Sequence, residues 1–302
     1  MKKEAPHSCP SSFSLQPSAL KNAGGKSAAE VREMFAHVAR RYDFLNHFLS
    51  LARDLYWRKE AARQASGLGA GDLIVDVCTG TGGLAFAFHR AAPEAAILAL
   101  DFTPEMLALA LGKAERKKVR ALLYPGPPAT ERTEPASLDF RVPICDFRAG
   151  LTAIENRKSK IANITFSIGD ALALPLPDDS AALAGVAFGL RNVADTERAL
   201  KEMIRVIRPG GKVLVLEFTR PRGRLFGPLY MLYFRHVLPL LGRALAENFS
   251  HGEAYSYLPR SVEAFAGPDE LARQLAALGL QDVRALPLTC GVVHLYVGLK
   301  TG

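Results

Sequence analysis

The stretch from Leu73 to Gly82 reads Leu-Ile-Val-Asp-Val-Cys-Thr-Gly-Thr-Gly, an apolar, β-branched run carrying Asp76 and breaking into glycines; a second apolar run, Ala96 to Leu100, is closed by Asp101. A buried parallel strand reads as a short continuous apolar run. Glycines at its carboxyl end let the backbone pass close to a ligand lying over the next helix's N-terminus. An acid at the tip of the neighbouring strand then takes ribose hydroxyls. The pairing predicts an open α/β sheet with a nucleoside cofactor at its edge.

The spacing separates two cofactors that share this geometry. A dinucleotide site places a third glycine further on, to seat a pyrophosphate on the helix dipole. Here Gly80-Thr81-Gly82-Gly83 runs into Ala85 and is led by the strand acid Asp76. Such an acid suits a cationic amino-acid tail better than a pyrophosphate. The reading is S-adenosylmethionine, with Asp76 facing the ammonium end directly or through water and Gly80, Thr81 and Gly82 lining the same cleft. A glycine-rich turn with no ligand is the alternative, and Asp101 argues against it.

A chain of 302 residues, 49% apolar, can bury one full core with additions. No run reaches the ~20 uninterrupted apolar residues of a membrane span. Lys2 and Lys3 lead into a polar Ser/Pro/Gly stretch instead of the apolar core of a secretory signal. Cys9, Cys78, Cys145 and Cys290 lack metal-ligand spacing, so no metal, reduced thiols and a cytoplasmic setting are expected. Cys78 reads as a small neutral filler in the glycine loop in preference to a catalytic thiol. The net charge of +8 invites a nucleic-acid reading, but residues 1–27 carry +3 and residues 114–160 carry +4, which leaves the core near neutral. No nucleic acid is expected; solvated segments are the commoner meaning of such charge.

Apolar residues at Val31, Met34, Phe35, Val38, Tyr42, Leu45 and Leu49 recur at the helical period, and a second helix is expected over 55–65. Strands are expected at 73–77, 96–100, 161–167, 181–188 and 212–218, with helices from Gly83 to Arg90, from Pro104 and from Thr196 to Ile207. Residues 281–286 and 292–299 pair as a hairpin. The fold class is therefore α/β: a seven-stranded, mostly parallel, doubly wound sheet with an antiparallel C-terminal hairpin. Residues 1–27 read as a flexible tail and 28–302 as one catalytic domain. A Pro/Gly/Thr/Arg-rich surface insertion, largely irregular, interrupts it at about 114–160.

Four segments carry a resemblance: Val38-Ala-x-x-Tyr42-Asp43-x-x-Asn46 with Trp57 downstream; Phe188-Gly-Leu-Arg191-Asn192-Val; Arg205-Val-Ile-Arg-Pro209-Gly-Gly leading to Glu217-Phe218; and Tyr255-x-Tyr257-Leu-Pro259-x-Ser261-Val262 with Leu288-Thr-Cys-Gly291-Val-Val. The Pro-Gly-Gly turn is widespread, whereas Tyr-Asp-x-x-Asn together with Phe-Gly-Leu-Arg-Asn is specific. On these the chain resembles the ubiquinone/menaquinone biosynthesis C-methyltransferase family from about Glu30 to Lys300, apart from the insertion. The resemblance implies a class I S-adenosylmethionine fold, with Thr81 in the glycine loop, Asp101 on the ribose and Asp170 with Ala171 at the adenine. Ala187 stands where many members have a cofactor-contacting serine, which removes one hydroxyl and leaves backbone groups.

The implied reaction moves a methyl group from a sulfonium to a ring carbon of a polyprenyl quinol, demethylmenaquinol to menaquinol or the ubiquinol counterpart. That carbon is nucleophilic when the adjacent hydroxyl is ionised, so the protein must favour a phenolate. A dry cleft strengthens the phenolate–sulfonium attraction and holds the two in line. Arg191, just beyond the fourth expected strand with Asn192 beside it, is the candidate for the ring oxygen, as a fixed cation or through water; a guanidinium, always protonated, is a poor base. A structural, salt-bridged arginine is the alternative. Tyr42 and Asn46 share a helix face and are candidates to cap the cleft, against a face merely packed on the domain. His236, Tyr255, Tyr257 and His294 are hydrogen-bond or relay candidates, a structural role being the expectation for each histidine.

Leu225 to Leu245 is almost wholly apolar and aromatic, suited to roofing a prenyl tail and grazing a bilayer, so peripheral membrane contact is expected; a homodimer stays open. Two other function classes compete. One is a methyltransferase of another small phenol or of RNA, which salt-steep RNA binding would reveal. The other is a non-catalytic cofactor binder or a nicotinamide oxidoreductase, which would prefer NAD over S-adenosylhomocysteine.

Overall fold

The computed structural model describes residues 21–124, 163–221, 227, 230, 232–233 and 253–302. Eight strands form one sheet: β1 (Leu73–Val77), β2 (Ala96–Asp101), β3 (Ala121–Tyr124), β4 (Ile164–Ile168), β5 (Ala181–Ala187), β6 (Ile207–Phe218), β7 (Leu280–Leu288) and β8 (Val293–Lys300). Their spatial order is β3-β4-β2-β1-β5-β6-β8-β7. The chain winds outward from β1 to β2 and then returns to β5 on its other side. That reversal opens a crevice at the carboxyl ends of β1 and β5, where open α/β sheets take their ligands.

Among the described residues, the α-helices that accompany the sheet are α1 (Ala28–Leu49), α2 (Arg53–Ala62), α3 (Gly83–Ala91), α4 (Pro104–Lys117), α5 (Thr196–Val206), α6 (Glu253–Ala264) and α7 (Pro268–Ala277). Pro104 opens α4 at its first turn, where a missing N–H costs nothing. The Asp195 carboxylate accepts the Arg198 N–H to cap α5. Side chains alternate along each strand and divide the core between two faces. Ile74 packs with Trp57, Phe88 and Leu107 on the α2–α3–α4 side. Val75 and Val77 pack with Leu200, Met203 and Leu271 on the α5–α7 side.

The parallel β1–β2–β4 and β1–β5–β6 core and the β7–β8 hairpin follow the expected pattern, and three features differ from it. An eighth strand, β3, runs parallel to β4 from Ala121 to Tyr124, and α4 continues to Lys117, so ordered elements occupy the first part of the expected insertion. Residues 125–162 of it lie outside the described residues. The hairpin enters the sheet by β8, which pairs antiparallel with β6 as well as with β7, so β8 is interior and β7 forms the edge. Helices α6 and α7, for which no expectation was set, fill the stretch before the hairpin. Of the Leu225–Leu245 segment only a few residues are described; among all the described residues no helix is long and apolar enough to cross a membrane.

Candidate active site

Register brings the cofactor candidates to one edge. Val77 of β1 lies beside Leu100 of β2 and Val186 of β5, and Asp101 lies beside Ile168 of β4. The ends of four strands therefore present Asp76, Asp101, Asp170 with Ala171, and Ala187 along the same rim. The glycine loop bends back under them because its backbone allows it. Gly82 has φ +80°, and a Cβ there would stand 2.9 Å from the Phe86 ring and 3.2 Å from that of Phe166. The position excludes any side chain on both counts.

Asp76 is fully buried on the same face as Ile74. Thr79 Oγ1 donates to its Oδ2 at 2.5 Å, while Oδ1 has no hydrogen-bond partner among the described residues. Burial pushes its carboxyl up to about 7, against the Thr79 hydroxyl, the nearby Ala85 backbone N–H and the charge of Arg58. Asp101 is held by backbone: the Gly80 N–H donates to Oδ2 at 2.7 Å and the Thr103 N–H to Oδ1 at 2.8 Å. Each oxygen keeps a lone pair for a further donor. Burial raises Asp101 and Asp170 as well. The Leu172 N–H reaches Asp170 Oδ1 at 2.9 Å, leaving the other carboxylate oxygen for a ligand. Cys78 sits among these acids at φ +54°. Burial, then the charges of Asp101, Asp170, Asp76 and Glu217, drive its thiol far above the ordinary range. A thiol so placed stays neutral, which suits a filler and not a nucleophile.

Thr81 is reached from outside the loop. Its hydroxyl donates to Asp43 Oδ1 at 2.6 Å, Asp43 pairs with Lys113 of α4, and Lys113 Nζ donates to the Thr81 carbonyl at 3.1 Å. The Tyr-Asp-x-x-Asn segment is thereby fastened over the cofactor loop. Asn46 lies one turn on, half-buried. The side chains of Tyr42 and Tyr255, and all of His236, lie outside the described residues.

Arg191 is 6% exposed in a 3-10 turn just after β5. Its Nη1 donates to the Phe188 carbonyl at 2.7 Å and to Glu217 Oε1 at 2.5 Å, and the guanidinium lies 5.5 Å from the centre of the Phe218 ring. Its Nε is buried with no partner among the described residues. The arginine is thus salt-bridged and still offers the buried Nε–H as a donor. Asn192 gives Nδ2 to the Phe188 carbonyl at 3.3 Å and accepts the Tyr257 hydroxyl on Oδ1 at 2.9 Å. His294 Nδ1 pairs with Thr219 Oγ1 at 2.7 Å, on the strand pair behind the site.

Three contributors were not anticipated from sequence. Glu217, the acid that fixes Arg191, lay within a quoted motif, and its strand-end position was the signal. Arg58 pairs with the buried Asp54 at 2.6 Å and stacks 5.3 Å from the centre of the Phe188 ring. Asn22, in the expected flexible tail, is buried and donates Nδ2 to Tyr257 Oη at 2.8 Å and to the Asn192 carbonyl at 3.2 Å. Nothing local in sequence marks it.

Two buried atoms on neighbouring strand ends thus lack hydrogen-bond partners among the described residues, a carboxylate oxygen on Asp76 and a guanidinium N–H on Arg191. An acceptor and a donor left open suit an aminoacyl cation at the first and an anionic oxygen at the second. Fold and site together define a class I S-adenosylmethionine-dependent methyltransferase. The profile of the ubiE/COQ5 methyltransferase family matches residues 23–300, and the chain belongs to that family. It is 39% identical over 265 residues to a demethylmenaquinone methyltransferase of Thermus thermophilus, covering 88% of this chain and 99% of that one. It is 35% identical over 271 residues to the ubiquinone/menaquinone biosynthesis C-methyltransferase UbiE of Geobacter sulfurreducens, covering 89% of this chain and 88% of that one. Among solved structures, a methyltransferase in complex with the Haloferax volcanii Trm112 activator shares the fold at 15% identity and TM-score 0.53, covering 90% of this chain and 98% of that one.

Proposed function

We propose that this methyltransferase C-methylates the ring of a polyprenyl quinol, converting demethylmenaquinol to menaquinol or acting on the corresponding ubiquinol precursor. The names of the relatives point to this chemistry, and the observation that carries it here is the pair of open atoms on Asp76 and Arg191. S-adenosylmethionine, when bound, supplies an electrophilic methyl group on a sulfonium. Asp76 takes its ammonium end, Gly80, Thr81 and Gly82 close around it, and Asp101 takes the ribose. Asp170 with Ala171 lines the adenine side, and the Ala187 backbone meets the cofactor at the end of β5.

The quinol side is assigned to Arg191, Asn192, Tyr42 and Asn46. Arg191 Nε–H donates to the ring oxygen and favours its ionised form, which loads electron density onto the adjacent carbon. Glu217 holds the guanidinium so that this donor is already aimed, the preorganisation that makes a fixed dipole effective in a dry site. Asn192, locked between Phe188 and Tyr257, keeps the loop carrying Arg191 in place, and Asn46 caps the cleft from α1. The prenyl tail leaves towards a bilayer that the protein touches peripherally. One methyltransferase domain, with its boundary before Lys21 in view of the docked Asn22, carries all of this.

The test is direct. Purified protein with S-adenosylmethionine and reduced, short-tailed demethylmenaquinone should yield a product one methylene heavier by mass spectrometry. Tight S-adenosylhomocysteine binding with no methylation of any naphthoquinol or benzoquinol offered would overturn the quinol reading while leaving the methyltransferase intact.

A further inference from the structure

Helix α2 exposes what a water-facing helix ordinarily hides. Asp54, Trp57 and Ala61 point inward, yet Leu55 is 54% and Tyr56 41% exposed. Just before them Leu51, 83% exposed, and Ala52 both take left-handed backbone, at φ 51° and 59°. That conformation is unfavourable for residues with a Cβ, and a glycine or asparagine would relieve it. In water, the leucine so displayed gains nothing in return. Strain held at a displayed side chain points to a use for that side chain.

The charges around the corner have one sign. Arg53 and Lys59 are exposed on α2. The acids of the same stretch are both spent, Asp54 buried against Arg58 and His47, and Glu60 against Arg63. Solvent therefore meets three apolar side chains within six residues, rimmed by cations. This is the pattern of a segment that sinks into the headgroup boundary of a bilayer while its basic residues meet phosphates. The tyrosine, apolar in body and polar at its tip, suits that boundary.

The opposite face of α2 looks into the site. The Trp57 indole lies 6.0 Å from Phe188 and 5.8 Å from Phe218, the ring under the Arg191 guanidinium. A single helix thus separates the exposed corner from the chemistry. We propose that the α1–α2 corner is the membrane-docking tip of this enzyme, with Leu51, Leu55 and Tyr56 entering an anionic bilayer surface and Arg53 and Lys59 holding its headgroups. The choice of a bilayer over other apolar partners rests in part on the quinol reading, because a prenyl-tailed substrate resides there.

The test is flotation of the full chain with vesicles of phosphatidylcholine alone and of phosphatidylcholine with about one-third phosphatidylglycerol. The protein should float with the anionic vesicles and not with the neutral ones. Leu51→Ser with Leu55→Ser should cut the bound fraction about tenfold, and Arg53→Glu with Lys59→Glu should abolish the salt-sensitive part. Both variants should keep wild-type S-adenosylhomocysteine affinity and wild-type turnover of a short-tailed, water-soluble quinol. Three results would overturn the tip: no flotation of the wild type, flotation untouched by the leucine variants, or a concentration-dependent dimer in light scattering that those variants dissolve. Failure of the quinol reading shows differently, as anionic flotation without methylation of any quinol in detergent.

Discussion

The side-chain amide of Asn22 and the phenol of Tyr257 meet at 2.8 Å in the interior, although 235 positions separate them in the chain. Asn22 Oδ1 accepts the N–H groups of Gly24 and Lys26, so the turn ahead of α1 is wound around one side chain. The Tyr257 hydroxyl in turn donates to Asn192 Oδ1 at 2.9 Å. One amide therefore ties the entry to α1, the middle of α6 and the loop that carries Arg191.

Replacing Asn22 with alanine leaves the turn amides and Tyr257 without their partner. A loss of about 1–3 kcal/mol in urea-unfolding free energy is expected. Gly24→Ala should act in the same direction, since a Cβ there would collide with the Tyr257 ring. If Asn192 is held for quinol binding, Asn22→Ala also raises the quinol KM while S-adenosylhomocysteine affinity stays put.

Asp76 makes cofactor binding pH-dependent. With its carboxyl pushed up to about 7 in the empty fold, the residue keeps its proton below that pH. A cationic tail binds the ionised form, so binding at pH 6 should release close to one proton, and affinity should weaken by about tenfold per pH unit further down. Calorimetry in two buffers of different ionisation enthalpy reads the proton count, and Asp76→Asn should erase it. For stability the sign is opposite to that of a salt-bridged acid. The raised value means the folded chain binds the extra proton, so the contribution is present at low pH and is lost as pH rises towards 7.

Arg191→Ala is an ambiguous experiment by itself, because it strands Glu217, fully buried, without its partner. A stability loss of about 3–5 kcal/mol is expected from that alone. Arg191→Met combined with Glu217→Met removes both charges and should regain most of it. Turnover of this double variant should still be down by about 10²–10³, the cost of losing one preorganised donor, with S-adenosylhomocysteine bound normally. Near wild-type turnover in a well-folded double variant would make the arginine structural only.

Asp43 fastens α1 to the cofactor loop. Asp43→Ala frees the Thr81 hydroxyl and leaves Lys113, already lowered by burial with Asp43 working the other way, more easily deprotonated. Losing a charged hydrogen bond of this kind costs about 1.5–3 kcal/mol. The expected readouts are faster hydrogen exchange in α1 and about tenfold weaker S-adenosylhomocysteine binding.

What could be read in advance is local. Asp76, Gly80 to Gly82 and Asp101 announce themselves because a buried parallel strand needs an unbroken apolar run and a close ligand approach needs glycine. Arg191 and Asn192 were legible as a motif at a strand end. Their partners were not: Glu217 is 26 positions away and Asn22 is 170 from Asn192, and side-chain pairing over such distances is set by packing and leaves no period in the sequence. Strand β3 is four residues long at the sheet edge, too short to alternate visibly. Helix α7 was detectable, since Pro268-Asp-Glu with Leu271 and Leu275 following is a start signal joined to a buried stripe. Pro259 inside α6 reads as a breaker and concealed that helix.

The interior position of β8 governs how the sheet is completed. Residues 293–300 are the keystone between β6 and β7, so a chain translated only as far as Leu288 has β6 with one flank open and β7 with nothing to join. The cleft shares that ladder, because Glu217, which fixes Arg191, sits opposite His294, so losing those eight residues would strip the strand that carries Glu217 of its antiparallel neighbour.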